Sequence, residues 1–284
     1  MKIATFAFVS VLAAASMAVP VSSLQKNTTD VGVTLRMTYS EYLLGERIRA
    51  EVEVRNGSTT PIIVGATDST DFMFLELFKN DTKHSVDRYS ETKATVPFVL
   101  KSGQAQTFEV FFDRNFLFET EGRYLGRAVV VHDGVRYEGA LRAFSLVPGM
   151  RLSNAIQMFS NRPGLRREFE LLYWSRKRAE HLFLRATDHS EKGDRMWVTS
   201  DLGTLLRQTR PKISIRDGGE VTVLHRATKD EFIRSDFWSL PDAFEFQEHA
   251  RMVDPDIAGS ERIKSLYEES AGVEPVKKAW WKFW

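Results

Sequence analysis

Between Arg47 and Arg55 apolar and polar residues alternate without a break. Ile48, Ala50, Val52 and Val54 fall on one side, and Arg47, Arg49, Glu51, Glu53 and Arg55 on the other. A period of two is that of a half-buried strand, not of a helix. Asn56-Gly57-Ser58 ends the run with turn residues, and Pro61-Ile62-Ile63-Val64 begins another.

The same style continues on both sides. Val31, Val33, Leu35 and Met37 share one face of a first strand. Phe72 to Phe78 is a nearly continuous apolar run whose length and aromatic content favour a buried strand. Val96 to Leu100 and Gln106 to Phe112 are separated by Lys101-Ser102-Gly103. Arg123 to Val131 and Val135 to Val147 are predicted to form a hairpin around His132-Asp133-Gly134, where Asp-Gly is a strong turn signal. About eight strands in roughly 120 residues, with turns at short intervals, is the pattern of a β-sandwich. Tyr124, opening a late strand after Glu121-Gly122-Arg123, stands where a tyrosine often bonds back to the preceding corner.

Pro148-Gly149 marks a boundary, because the sequence beyond it turns towards arginine and tryptophan. Residues 31–148 therefore read as one β-sandwich and 150–252 as a smaller β-rich unit. In the latter, Leu152 to Phe159 fits a strand or a short helix. Glu168 to Trp174 and His181 to Ala186 flank a charged turn at Ser175 to Glu180. Met196 to Thr199 continues the β pattern, and Asp217-Gly218-Gly219 joins Lys212 to Arg216 with Glu220 to His225. Phe232, Phe237, Trp238, Phe244 and Phe246 are expected to close the unit. Asp254-Pro255 predicts a helix through about Ser270, with Ile263, Leu266 and Tyr267 on one face. Residues 253–284 thus hold a short helix and an aromatic tail. The expected class is mostly β.

The N-terminus changes the compartment. Lys2, an apolar stretch from Ile3 to Leu12 and the small residues Ala13 to Ala18 read as a signal peptide, residues 1–18, cut after Ala18. The alternative, an uncleaved anchor, needs a longer apolar run. The chain has no cysteine, so an exported protein of this size is held by its core rather than by disulfides. That fits a bacterial periplasm or surface. Asn27-Thr28-Thr29, Asn56-Gly57-Ser58 and Asn80-Asp81-Thr82 match the glycosylation pattern of the eukaryotic route, and serve equally well in turns. The net charge of +1 drives the protein neither to nucleic acid nor to anionic lipid.

Catalytic signatures are absent from the sequence. It has no nucleophile elbow, no phosphate loop, no zinc-protease helix and no dinucleotide fingerprint. The six histidines have no metal-ligand spacing. His132 and Asp133 sit in a turn that asks for Asp on backbone grounds. Asp68 and Asp71 offer two loop carboxylates, too few for calcium by themselves. No cofactor is expected.

Binding has more candidates. Arg162, Arg166, Arg167, Arg176, Lys177 and Arg178 make the start of the second unit basic, with Tyr173 and Trp174 beside them. Arginines among aromatics bind phosphates, anionic glycans or single-stranded nucleic acid, the last least natural for an exported protein, or form a solvated face over a core. Trp174, Trp197 and Trp238 are candidates for a sugar-stacking platform or for core packing. At the end of the chain Trp280, Trp281, Phe283 and Trp284 stand among Lys277, Lys278 and Lys282. Such a segment suits a membrane interface, the protein's own surface or a partner, and is too short to span a bilayer. Trp174, Arg176, Arg178, Trp280, Trp281 and Trp284 are the expected partner contacts.

LLGERIRAEVEVRNGSTTPI, STDFMFLEL, LKSGQAQTFEVFF and GRYLGRAVV, in that order, resemble bacterial immunoglobulin-like domains. They are most similar to the domain of the bacterial intracellular proteinase inhibitor family, over roughly residues 31–148. The resemblance implies an immunoglobulin-like antiparallel sandwich. It also raises proteinase inhibition, with a loop near Thr67 to Asp71 entering the protease cleft. The leading expectation is an exported, non-catalytic binding or structural protein of the cell envelope, with a protein or glycan partner. Inhibition and carbohydrate binding are the alternatives.

Overall fold

Ile48, Ala50, Val52 and Val54, the apolar side of the alternating run, are all buried. The computed structural model describes residues 30–65, 71–79, 85–88 and 97–253. The predicted signal peptide, the helix from Asp254, the loop residues Thr67 to Thr70 and the turn at Asn80-Asp81 lie outside the described residues. So do Trp280, Trp281 and Trp284.

The chain is mostly β. The first half carries β1 (Val31–Met37), β2 (Glu41–Leu43), β3 (Arg49–Asn56), β4 (Ile62–Val64), β5 (Phe72–Lys79), β6 (Phe98–Leu100), β7 (Ala105–Phe111), β8 (Gly122–His132), β9 (Val135–Glu138) and β10 (Arg142–Val147). The second carries β11 (Met150–Met158), β12 (Arg166–Arg176), β13 (Ala179–Ser190), β14 (Gly193–Thr204), β15 (Lys212–Ile215), β16 (Glu220–Arg226), β17 (Glu231–Leu240) and β18 (Ala243–Val253).

In the first half β1, β3 and β7 form one sheet, and β2, β10, β8 and β5 another, with β9 also on β8. β4 and β6 pair by themselves. Side chains from both larger sheets, among them Leu35, Val52, Leu75, Tyr124 and Phe144, belong to one apolar cluster. Tyr124 Oη donates to the Thr120 carbonyl at 2.7 Å, the bond back to the corner that its position predicts.

One expectation is corrected by the strand order, and one strand has no counterpart among those expected. The sequence reads Val135 to Val147 as one strand, yet β9 and β10 are separate. β9 pairs with the far end of β8, and β10 with its start. Between them Gly139 passes so close to the Val33 and Ala128 carbonyls that a Cβ would lie within 3.3 Å of both. The alternation of β2 is too short to read, and β2 exists through its parallel pairing with β10, roughly a hundred residues away.

Among the described residues no sheet crosses Pro148-Gly149. Beyond it two antiparallel meanders follow, β11 to β14 and β15 to β18. Of Leu152 to Phe159, which fitted a strand or a short helix, all but Phe159 belong to strand β11. Phe169, Leu171, Leu182 and Leu184 from the first meander share a core with Val221, Val223 and Phe237 from the second. The turn between β12 and β13 is tight. Lys177 and Arg178 both have positive φ, 48° and 70°, as a two-residue hairpin turn requires.

Candidate functional site

The two halves meet where the Leu44–Arg47 turn, between β2 and β3, rests on the outer face of the β11–β14 sheet. On β12 the even-numbered residues point away from the core. Leu172, Trp174 and Arg176 therefore face the first half. Leu43, Leu172 and Phe183 form a small buried cluster, with Val147 and Trp174 packed against it. Backbone bonds seal the contact. Thr199 N–H donates to the Gly45 carbonyl at 2.9 Å, and Thr199 Oγ1 donates to the Leu44 carbonyl at 2.7 Å. Arg185 Nη2 donates to the carbonyls of Leu44 and Pro148, both at 3.1 Å. Gly45 has φ of +82°, and a Cβ there would lie 2.1 Å from Met196 Sδ, so the approach needs glycine.

Charge completes the junction. Arg176 grips Glu46 with two parallel bonds, Nη1 to Oε1 at 2.6 Å and Nη2 to Oε2 at 2.7 Å. Both residues are buried. The guanidinium also lies 4.1 Å over the Tyr39 ring. Burial pushes the Glu46 carboxyl up, against the opposing pull of Arg176. Asp201 stands 3.4 Å from Arg176 and accepts from His181 Nδ1 at 3.0 Å. Burial works against its charge, but the bonds from His181 and the Gly203 N–H hold it below the usual carboxylate range.

A second buried cation ties the two meanders together. Arg167 is 0% exposed. Nε and Nη2 bond Asp188 at 2.5 and 3.0 Å, while Nη1 donates to Ser239 Oγ and to the carbonyls of Leu240 and Ala243. Trp197 Nε1 donates to the same Asp188 at 2.7 Å.

The basic, tryptophan-bearing stretch is thus divided by the fold. Arg167 and Arg176 are enclosed and serve the protein's own contacts, so Arg176 is no surface group. Arg178 is exposed at its turn, and Arg162 pairs with Asp242 at the surface. Trp174 packs in the junction and Trp197 turns inward to Asp188, whereas Trp238 is exposed on the outer face of β17. The three rings share no face, so they form no common platform, and Trp174 and Trp197 follow the core-packing reading instead. Alternation within β12 was an available signal for Arg167, whose odd position shares the inward face of Phe169 and Leu171, whereas Arg176 lies on the outward face and is enclosed by Glu46 of the first half.

No family model matches the chain, and no curated protein matches it. Among solved structures it is similar to Spo0M, the sporulation control protein of Bacillus subtilis, at 11% identity, with 61% of this chain and 90% of that one covered. The TM-score is 0.30, too low to carry an argument.

Among the described residues, the group whose ligand atoms converge within 4.8 Å is Asp71, His132 and Asp133. Asp71 and His132 are neighbours because β5 and β8 pair Phe72 with Val131.

A further histidine is buried in the second core. His225 Nε2 donates to the Thr204 carbonyl at 3.2 Å, and its buried Nδ1 meets no hydrogen-bond partner among the described residues. Burial, with a smaller contribution from His249, lowers its pKa to about 4, against the opposing pull of the Thr204 bond and Asp201. Below the ordinary histidine value the unfolded chain takes up a proton that the native state refuses. Stability is therefore lost as pH falls from about 6.5 towards 4, on the order of 3 kcal/mol in total. Urea unfolding at pH 7 and pH 4.5 is expected to show a steeper loss in the wild type than in His225→Gln. Equal slopes would contradict the assignment.

Proposed function

We propose that the protein is an exported, non-catalytic binding or structural component of a bacterial cell envelope, and that its first half is an immunoglobulin-like sandwich. The Tyr124 bond to Thr120 and the single cluster built by both larger sheets support the sandwich. The apolar leader and the lack of cysteine support export. The sealed junction supports a scaffold that holds both halves in one relation.

The observation that carries binding is strand β11. It ends its sheet, and it carries Met150, Ile156 and Met158 at 55%, 51% and 69% exposure. Ile156 and Met158 lie on the outer face, opposite Glu168 and Arg166, towards the end of β12 remote from Leu172 and Trp174. A sheet edge bordered by exposed apolar side chains suits a partner strand, whose backbone bonds supply affinity and whose side chains supply selectivity.

The test places a photo-crosslinking amino acid at Ile156 in the native host and, as a control, at exposed Lys229. A defined envelope adduct at 156 that is absent at 229 is the expected result. Mass analysis of the periplasmic form should show a chain beginning at Val19. No adduct at 156 above the control, or an unprocessed cytoplasmic chain, would overturn the reading.

A further inference from the structure

The tip of the β8–β9 hairpin brings together chemistry that the envelope-binding reading leaves unused. Asp133 and Gly134 form its two-residue turn with φ of 50° and 71°. Asp71, immediately before β5, lies against it and is buried. Asp71 Oδ1 accepts the Asp133 N–H at 3.0 Å, and Oδ2 is 2.7 Å from His132 Nδ1. A carboxylate only accepts, so Nδ1 carries the proton in that bond and the lone pair of the neutral ring is at Nε2. Nε2 in turn faces Asp133 Oδ2 at 3.5 Å.

Two electron-pair donors facing each other repel unless a cation lies between them. Their separation discriminates among cations. A tetrahedral zinc ion with bonds of about 2.1 Å holds neighbouring ligand atoms roughly 3.4 Å apart. The buried carboxylate on Nδ1 supplies the outer support that metal-bound histidines ordinarily have, fixing both tautomer and ring orientation. The Asp133 side chain is 85% exposed, leaving that side open for water to complete the coordination.

We infer that the hairpin tip binds a divalent transition metal of the zinc class. His132 Nε2 and the Asp133 carboxylate are the ligands, and Asp71 is the positioning residue. The site stands apart from strand β11 and is independent of the binding proposed there.

Equilibrium dialysis of the full chain against zinc chloride tests this, with cobalt(II) substitution to read coordination geometry by its visible spectrum. One ion per chain and a tetrahedral cobalt spectrum are expected. His132→Ala should weaken uptake at least 30-fold. Asp133→Asn keeps a residue that tolerates positive φ and removes the charge, and should weaken uptake about tenfold. Asp71→Asn touches no metal and should cost about 10- to 100-fold through loss of orientation. Among the described residues, another imidazole between two carboxylates is His189, which lies 2.9 Å from Asp194 and 3.3 Å from Glu168. His189→Ala is expected to leave uptake unchanged. Absence of stoichiometric uptake, which would mean that a proton alone joins the pair, overturns the assignment. Unchanged affinity in both His132→Ala and Asp133→Asn overturns it equally.

Discussion

Replacing Arg167 with methionine is expected to lower the unfolding free energy of the second half by about 3–5 kcal/mol. The methylene stem is largely preserved, so the loss comes from charge. Asp188 would remain buried with the Trp197 N–H but without its cation, and Ser239 Oγ and the carbonyls of Leu240 and Ala243 would each lose a donor. An uncompensated buried charge costs more than the pair contributes. The double variant Arg167→Met/Asp188→Leu should therefore recover much of the loss, since an apolar pair leaves no charge stranded. Urea unfolding read by tryptophan fluorescence measures both. A single-variant loss below about 1 kcal/mol would show that the network is solvated and dispensable.

Glu46→Ala is expected to uncouple the two halves. The substitution strands the buried Arg176 guanidinium and removes the carboxylate that accepts the Leu43 N–H at 2.9 Å. The cost is again about 3 kcal/mol, but it falls on the contact between the halves rather than on either core. Calorimetry should show one transition in the wild type and two in the variant. Gly45→Ala reaches the same end without touching a charge, because its φ of +82° and the closeness of Met196 leave no room for a Cβ. If both variants keep a single transition at an unchanged temperature, the junction contributes nothing to stability.

Local pattern made the strands legible. The β1 prediction coincides with the strand observed, and those of β3, β5 and β7 differ by only a residue or two at their ends. The period of two reports which side of a ribbon meets a core, and that is a property of neighbours in sequence. The same alternation was available in β12, and there the sequence alone gave a wrong impression. Arg176 looked like part of a basic surface because nothing local announces Glu46, which lies 130 residues away. Likewise Asp71 and His132 are 61 residues apart, and each had an adequate local explanation in a loop or a turn.

The sequence by itself determined a mostly β chain and several of its turns, those at Asp133-Gly134 and Asp217-Gly218-Gly219 among them. Those features follow from side-chain periodicity and backbone preference over a few residues. Only the tertiary structure decided which charged and aromatic side chains are spent internally. Whether an arginine is a surface group or half of a buried pair depends on the dielectric around it and on a partner brought by distant chain. Strand register fixes both, and sequence alternation cannot say which strands will pair.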